Sequence, residues 1–255
     1  MSGFANRPQY VHRFALTISV VFLLVLSAAP DLRAEPTDPA PENGRLLVYL
    51  LDHQMVSRQE MAAIQQEINS IFEDQAGVQI EWFIDASPRR RLEINELRVL
   101  ILASDGTRWF HGPSNVIGLA PHDESGIGRN CFIFYRQALW FRQQAVLRCR
   151  EAALARTQAE ASGVEPGMAG EAIAPASCSD YLPELTPMIV ARAAAHEMVH
   201  ILLNKLDHSP TGLMRESFEL QEWLAASLEP FRLLPEEIAA LRSRLGVVSA
   251  VADGS

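Results

Sequence analysis

From Met188 to Leu203 the only residues that are not apolar are Arg192, His196, Glu197 and His200. A helix that is apolar all round is a buried helix, so this stretch needs structure packed on every side. Thr186 suits the N-cap and Pro187 the first helical position, which predicts a helix start there. His196 and His200 are four residues apart, so they lie about 40° from each other round the helix and one turn along it. Both imidazoles can then reach one ion. Glu197 sits between them on the neighbouring flank. Buried polar groups without partners are costly, and a metal ion would supply a partner for this set.

His196-Glu197-x-x-His200 has the spacing in which two imidazoles bind zinc and a carboxylate acts on a water. A catalytic zinc takes three protein ligands and keeps one open position. His208 can complete the set. It follows Asn204-Lys205, where the helix can end, and a chain turning back there presents it to the same ion. Glu219 is the competing third ligand, because its distance from His200 is that used by peptidases of the gluzincin type.

The segment His208-Ser209-Pro210-Thr211-Gly212-Leu213-Met214 is rich in turn residues and ends in methionine. With the helix before it, it resembles the metzincin clan of zinc peptidases, and archaemetzincins in particular. The resemblance implies that His196, His200 and His208 are ligands, Glu197 the general base and Met214 the methionine turn. It covers about a tenth of the chain. Where the clan has a glycine and then its third histidine, this chain has Leu203 and Leu206, and His208 comes two residues later. The cysteines that give archaemetzincins a second zinc site are absent after His208, so one zinc ion is implied. A weaker likeness lies upstream, in a strand with Gly118-x-Ala120, a loop, and a strand from Asn130.

The amino terminus reads as an export signal over 1–34. Arg7, His12 and Arg13 precede an apolar run from Phe14 to Ala29, which is short for a membrane span. The alternative is an uncleaved N-terminal anchor, the one membrane contact expected. Residues 35–44, with Pro36, Pro39, Pro41 and Gly44, form a linker. Residues 45–250 are enough for a single domain. A net charge of −9 makes nucleic acid an unsuitable partner. A periplasmic or extracellular location follows from the signal.

Arg45 to Asp52 reads as an interior strand. Ser57 and Glu60 form a capping box before an apolar stripe of Met61, Ile64, Ile68, Ile71 and Phe72, which Gly77 ends. Strands are expected at Val78–Ile84, Leu97–Ala103, Asn115–Ala120 and Asn130–Tyr135, and helices over 136–156, Phe218–Leu228 and Pro235–Leu245. Residues 157–180 lack periodicity and read as an irregular insertion. The expected fold is α+β, a twisted mixed sheet packed on the zinc helix with smaller C-terminal helices. Three cysteines allow one internal disulfide, and Cys149 with Cys178 is the pair that would join the ends of the insertion. His53, His111 and His122 read as surface or structural residues.

The expected function is an exported zinc metallopeptidase that hydrolyses peptide bonds through a zinc-activated water, with Glu197 as base. Its substrate would be a peptide or protein. The alternatives are a zinc-binding protein without catalysis and a gluzincin-type peptidase using Glu219.

Overall fold

The computed structural model describes residues 44–52, 55–86, 88, 90–104, 116–123, 126–161, 175–223, 225 and 227–247, and only the backbone of 175–183. The signal at 1–34, the linker up to 43, His53 and His111 lie outside the described residues, as does the side chain of Cys178.

Strand β1, Arg45–Asp52, leads into helix α1, Arg58–Asn69. The capping box forms: the Glu60 amide donates to Ser57 Oγ at 3.2 Å, and the Ser57 amide donates to Glu60 Oε2 at 2.9 Å. The helix widens into a π-helical turn over Ser70–Asp74, and Gly77 stops it in the left-handed region at φ 67°. Strands β2 (Gln79–Ile84) and β3 (Glu96–Leu102) follow. After them come three two-residue strands, β4 (Gly118–Leu119), β5 (His122–Asp123) and β6 (Gly126–Ile127), and then β7 (Asn130–Phe134).

The main sheet has the order β2-β1-β3-β7-β4. The first four strands are parallel, and β4 runs antiparallel at the edge, with Gly118 opposite Ile133. β5 and β6 form a separate hairpin. Leu46, Val48 and Leu50 of β1 and Leu97, Val99 and Ile101 of β3 are buried on alternate positions, as one core-facing side requires. Helices α2 (Tyr135–Ala161), α3 (Pro175–Leu203), α4 (Leu220–Trp223) and α5 (Pro235–Leu245) complete the described elements, with a 3-10 turn at Glu229–Phe231. Helix α3 packs against α1, α2, α5, β4 and β7. The fold is α+β, with a mixed sheet, a buried helix and small C-terminal helices.

Three expectations about element boundaries change. The buried helix does not start at Thr186 and Pro187 but runs through them from Pro175. Thr186 is fully buried and its Oγ1 has no hydrogen-bond partner, so it caps nothing. Proline here removes one helical hydrogen bond. Burial of Leu185, Ile189 and Val190 around it outweighs that loss. Of the expected insertion at 157–180, residues 157–161 end α2 and 175–180 open α3, and 162–174 lie outside the described residues. The helix expected over Phe218–Leu228 shrinks to Leu220–Trp223. At its end the Arg192 guanidinium donates to the carbonyls of Glu222, Trp223 and Ala225, while the Glu222 carbonyl also accepts the Ala225 amide.

Cys149 is disulfide-bonded, and Cys131 is a free, buried thiol. Burial, with Glu197 nearby, pushes the Cys131 thiol well above its ordinary range, so it stays un-ionised in the core.

Candidate metal centre

The last turns of α3 carry His196, Glu197 and His200, and the chain must reverse immediately afterwards to bring His208 back. Helix α3 ends at Leu203, and Asn204 takes the left-handed conformation at φ 48°. The Asn204 amide donates to the Ile201 carbonyl and the Lys205 amide to the His200 carbonyl. Those two bonds make a Schellman cap with asparagine at the left-handed position. His200 is therefore the residue on which the reversal closes. Its own Nδ1 donates to the Lys205 carbonyl at 2.5 Å.

His208 is held through its neighbour. The Ser209 amide donates to the Met214 carbonyl at 2.7 Å, and Ser209 Oγ donates to Glu237 Oε1 of α5 at 2.8 Å. Glu237, buried despite its charge, uses its other oxygen to accept the Leu234 amide. Between Ser209 and Met214 the chain turns at Gly212, φ 76°, where a Cβ would come within 2.6 Å of the Arg232 carbonyl oxygen. Only glycine fits so close to a backbone atom. The turn delivers the Leu213 carbonyl to His196, whose Nδ1 donates to it at 2.8 Å. Met214 is fully buried beside it.

These two carbonyls settle the tautomers. A carbonyl oxygen only accepts, so Nδ1 of both rings carries hydrogen and each neutral ring keeps a lone pair on Nε2. The two Nε2 atoms face each other at 3.0 Å. A shared proton does not explain this approach at neutral pH. Burial holds His196 down to about 3, helped by the neighbouring His200, and burial lowers His200 as well. Two ligands on tetrahedral zinc, each about 2.05 Å from the metal, lie about 3.3 Å apart. The ligand nitrogens of His196, His200 and His208 all lie within 4.8 Å of one another. His208 is exposed, which leaves one side of the cluster open. The donor set therefore fits a zinc ion with a solvent-facing position.

Glu197 points to the sheet edge. Its carboxylate accepts the backbone amide of Ala120, just past β4. Burial nevertheless pushes its pKa up to about 8, and the Ala120 hydrogen bond offsets only part of that effect. Gly118 makes room for it. A Cβ there would lie 2.8 Å from Glu197 Cγ and 3.0 Å from Oε1.

The structure thus brings His196, His200 and His208 together with Glu197 beside them. Glu219 does not join: it is exposed, and its amide donates to Glu222. His122 is exposed on β5. Sequence reasoning missed Asn204, Ser209 and Glu237 as supports. It noted Gly118 and Ala120 only as part of a weak likeness. A glycine inside a strand is itself a sign of close approach, and asparagine after a helix is a sign of a left-handed cap, so two of these could have been found.

No protein-family model matches the chain, and no curated protein matches it. Among solved structures, archaemetzincin from Methanopyrus kandleri is similar at 12% identity and a TM-score of 0.45, covering 81% of this chain and 99% of that chain.

Proposed function

We propose that this protein is a zinc-dependent peptidase acting outside the cytoplasm. The observation that carries the reading is the pair of Nε2 lone pairs 3.0 Å apart on rings whose Nδ1 hydrogens are already engaged, with His208 alongside. Such a cluster needs a cation, and the imidazole donors and open side suit catalytic zinc. When bound, zinc polarises a carbonyl and lowers the pKa of a coordinated water.

The chain's own residues do the rest. The Leu213 and Lys205 carbonyls hold both Nε2 atoms turned towards one point, where they would hold a zinc ion, and raise the basicity of the rings. Glu197 takes a proton from the attacking water and returns it to the leaving amine. Burial raises the proton affinity of its carboxylate, which suits a group that must take up a proton and hand it on. The Ala120 amide, donating to the carboxylate, fixes its orientation for this exchange. His208, exposed at the rim of the cluster, would leave the approach of a peptide to a bound ion open. The disulfide at Cys149 and the apolar run from Phe14 to Ala29 both support an oxidising, exported location.

The test is metal analysis of the purified protein with Glu197→Gln beside the wild type on a broad peptide library. The amide keeps the shape but accepts no proton. Zinc content should stay near wild type while turnover falls by about two to four orders of magnitude. Undiminished peptidase activity in Glu197→Gln would remove Glu197 as the base, and a protein without bound metal would remove the reading altogether.

A further inference from the structure

The Asn204 side chain performs a second task that the helix cap does not need. Its Oδ1 accepts the Ile127 amide of the β5–β6 hairpin at 3.1 Å. It also lies against Gly126, φ 114°, where a Cβ would approach to 3.0 Å. The hairpin is closed at its base by the Gly128 amide donating to the Pro121 carbonyl at 3.0 Å. Pro121 follows Ala120, on the edge that packs against Glu197: a Cβ on Gly118 would lie 3.0 Å from Glu197 Oε1, and the Ala120 amide donates to that carboxylate. Glu197 and His200 share α3, and the turn after His200 returns to Asn204.

These contacts form a closed ring. It runs from His200 through its cap to Asn204, across to Ile127, through Pro121 to Ala120, and back by Glu197 to the same helix. Among the described residues, the hydrogen bond across from cap to hairpin is made by this one side chain. The base-holding edge otherwise consists of the two-residue strand β4. So short an edge has few ladder bonds of its own to fix its position.

We propose that Asn204 is a positioning residue that couples the ligand turn to the strand edge holding Glu197. The left-handed backbone at 204 sets His200. The side-chain oxygen sets the hairpin, and through it the Ala120 amide. This inference rests on the peptidase reading for its catalytic consequence but not for its structural one.

The two roles separate by substitution. Asn204→Gly keeps the left-handed turn and deletes the acceptor. Asn204→Asp keeps both, since aspartate tolerates the same conformation and its carboxylate accepts the same amide. Hydrogen exchange of the full-length protein, read at single amides with and without added zinc, gives the decisive measurement. In Asn204→Gly the Ala120 amide, remote from the substitution along the chain, should exchange about fivefold faster than in wild type, as expected for loss of one neutral hydrogen bond. Asn204→Asp should restore it. Zinc retention against a chelator should stay within about twofold in both variants, because the cap at His200 is intact. On the peptide library, kcat should fall in Asn204→Gly with KM little changed, and recover in Asn204→Asp.

Unchanged Ala120 exchange in Asn204→Gly would overturn the inference, as would an Asn204→Asp protein that behaves like Asn204→Gly. Absence of zinc binding or hydrolysis in the wild type would sink the peptidase reading instead, and the Ala120 measurement would still decide the coupling.

Discussion

His196 Nε2 and His200 Nε2 face each other at 3.0 Å, and the hydrogen on each ring's other nitrogen is given to a carbonyl oxygen, of Leu213 and Lys205 respectively. Two buried lone pairs so close repel unless a cation lies beside them. Zinc should therefore stabilise the fold by mass action, by about 4 kcal/mol when free metal stands at about a thousand times its dissociation constant. His208→Ala should weaken zinc retention far more than Glu219→Ala, because Glu219 is exposed and outside the cluster. A chelator titration of the two variants checks this. The reverse order would return the third ligand to Glu219.

Gly118 is the point at which the sheet edge meets the base. Gly118→Ala puts a methyl 2.8 Å from Glu197 Cγ and 3.2 Å from Ile133 Cδ1, so the carboxylate must move. Overpacking of this kind costs about 1–3 kcal/mol. Zinc binding should be nearly unaffected, since the nearest atoms to the added methyl are those of Glu197 and Ile133 rather than of the histidines. Turnover should fall at least tenfold, as follows from misplacing a base by a fraction of an ångström to an ångström. A variant with wild-type kcat would mean that Glu197 need not occupy its present position.

Arg192 lies one turn before His196 and ties three parts of the domain together. Its Nε donates to Glu67 of α1 at 2.7 Å, its other nitrogens reach the carbonyls of Glu222, Trp223 and Ala225, and its guanidinium sits 4.4 Å from the Phe231 ring centre. Burial lowers its pKa, opposed by Glu67. Arg192→Ala leaves a carboxylate and buried carbonyls without partners and should cost about 3–5 kcal/mol in urea denaturation. Arg192→Lys should recover only part of this, because an ammonium cannot reproduce the planar fork. A loss below about 1 kcal/mol in Arg192→Ala would show that these groups find water instead.

Acid should destabilise the domain through its paired carboxylates. Burial alone would raise the Glu96 pKa. The Arg90 hydrogen bond, the Glu93 amide and Tyr49 outweigh it and hold the group below its ordinary 4.5. Glu60 and Glu222 are lowered in the same sense, by Ser57 and Tyr135 and by Arg215 respectively, against burial. A depressed folded-state pKa means stability that is fully present above the unfolded value. It is lost as pH falls below 4.5 and through the folded value. Glu96→Gln should lower stability at pH 7 by about 2 kcal/mol, as for hydrogen bonds to a charged group. It should also flatten the decline below pH 4.5. Parallel curves for the two proteins between pH 5 and pH 3 would exclude Glu96 as a contributor.

Much of the local structure could be read from neighbouring residues. The Ser57–Glu60 box, the left-handed stops at Gly77 and Gly246 and the spacing of His196, Glu197 and His200 each depend on residues within one or two turns. The apolar run of β1 and the all-apolar stretch of α3 were likewise legible, because a long apolar run must be buried wherever it folds. The capping signal also misled. It placed a helix start at Thr186 and Pro187, where local capping rules favour one. The packing of Leu185, Ile189 and Val190 carries the helix through instead.

What the chain alone determined is the chemistry on offer: three imidazoles, one carboxylate and a helix that must be buried. What the tertiary structure decided is their relation. Whether His208 or Glu219 meets His196, which tautomer each ring holds, why position 118 bears no side chain and which carbonyls Arg192 binds all depend on contacts between residues distant in sequence. A pattern of spacing repeats only within one element. The closure of the chain on itself is settled by the joint packing of all of them, with no periodic trace in the residues that meet.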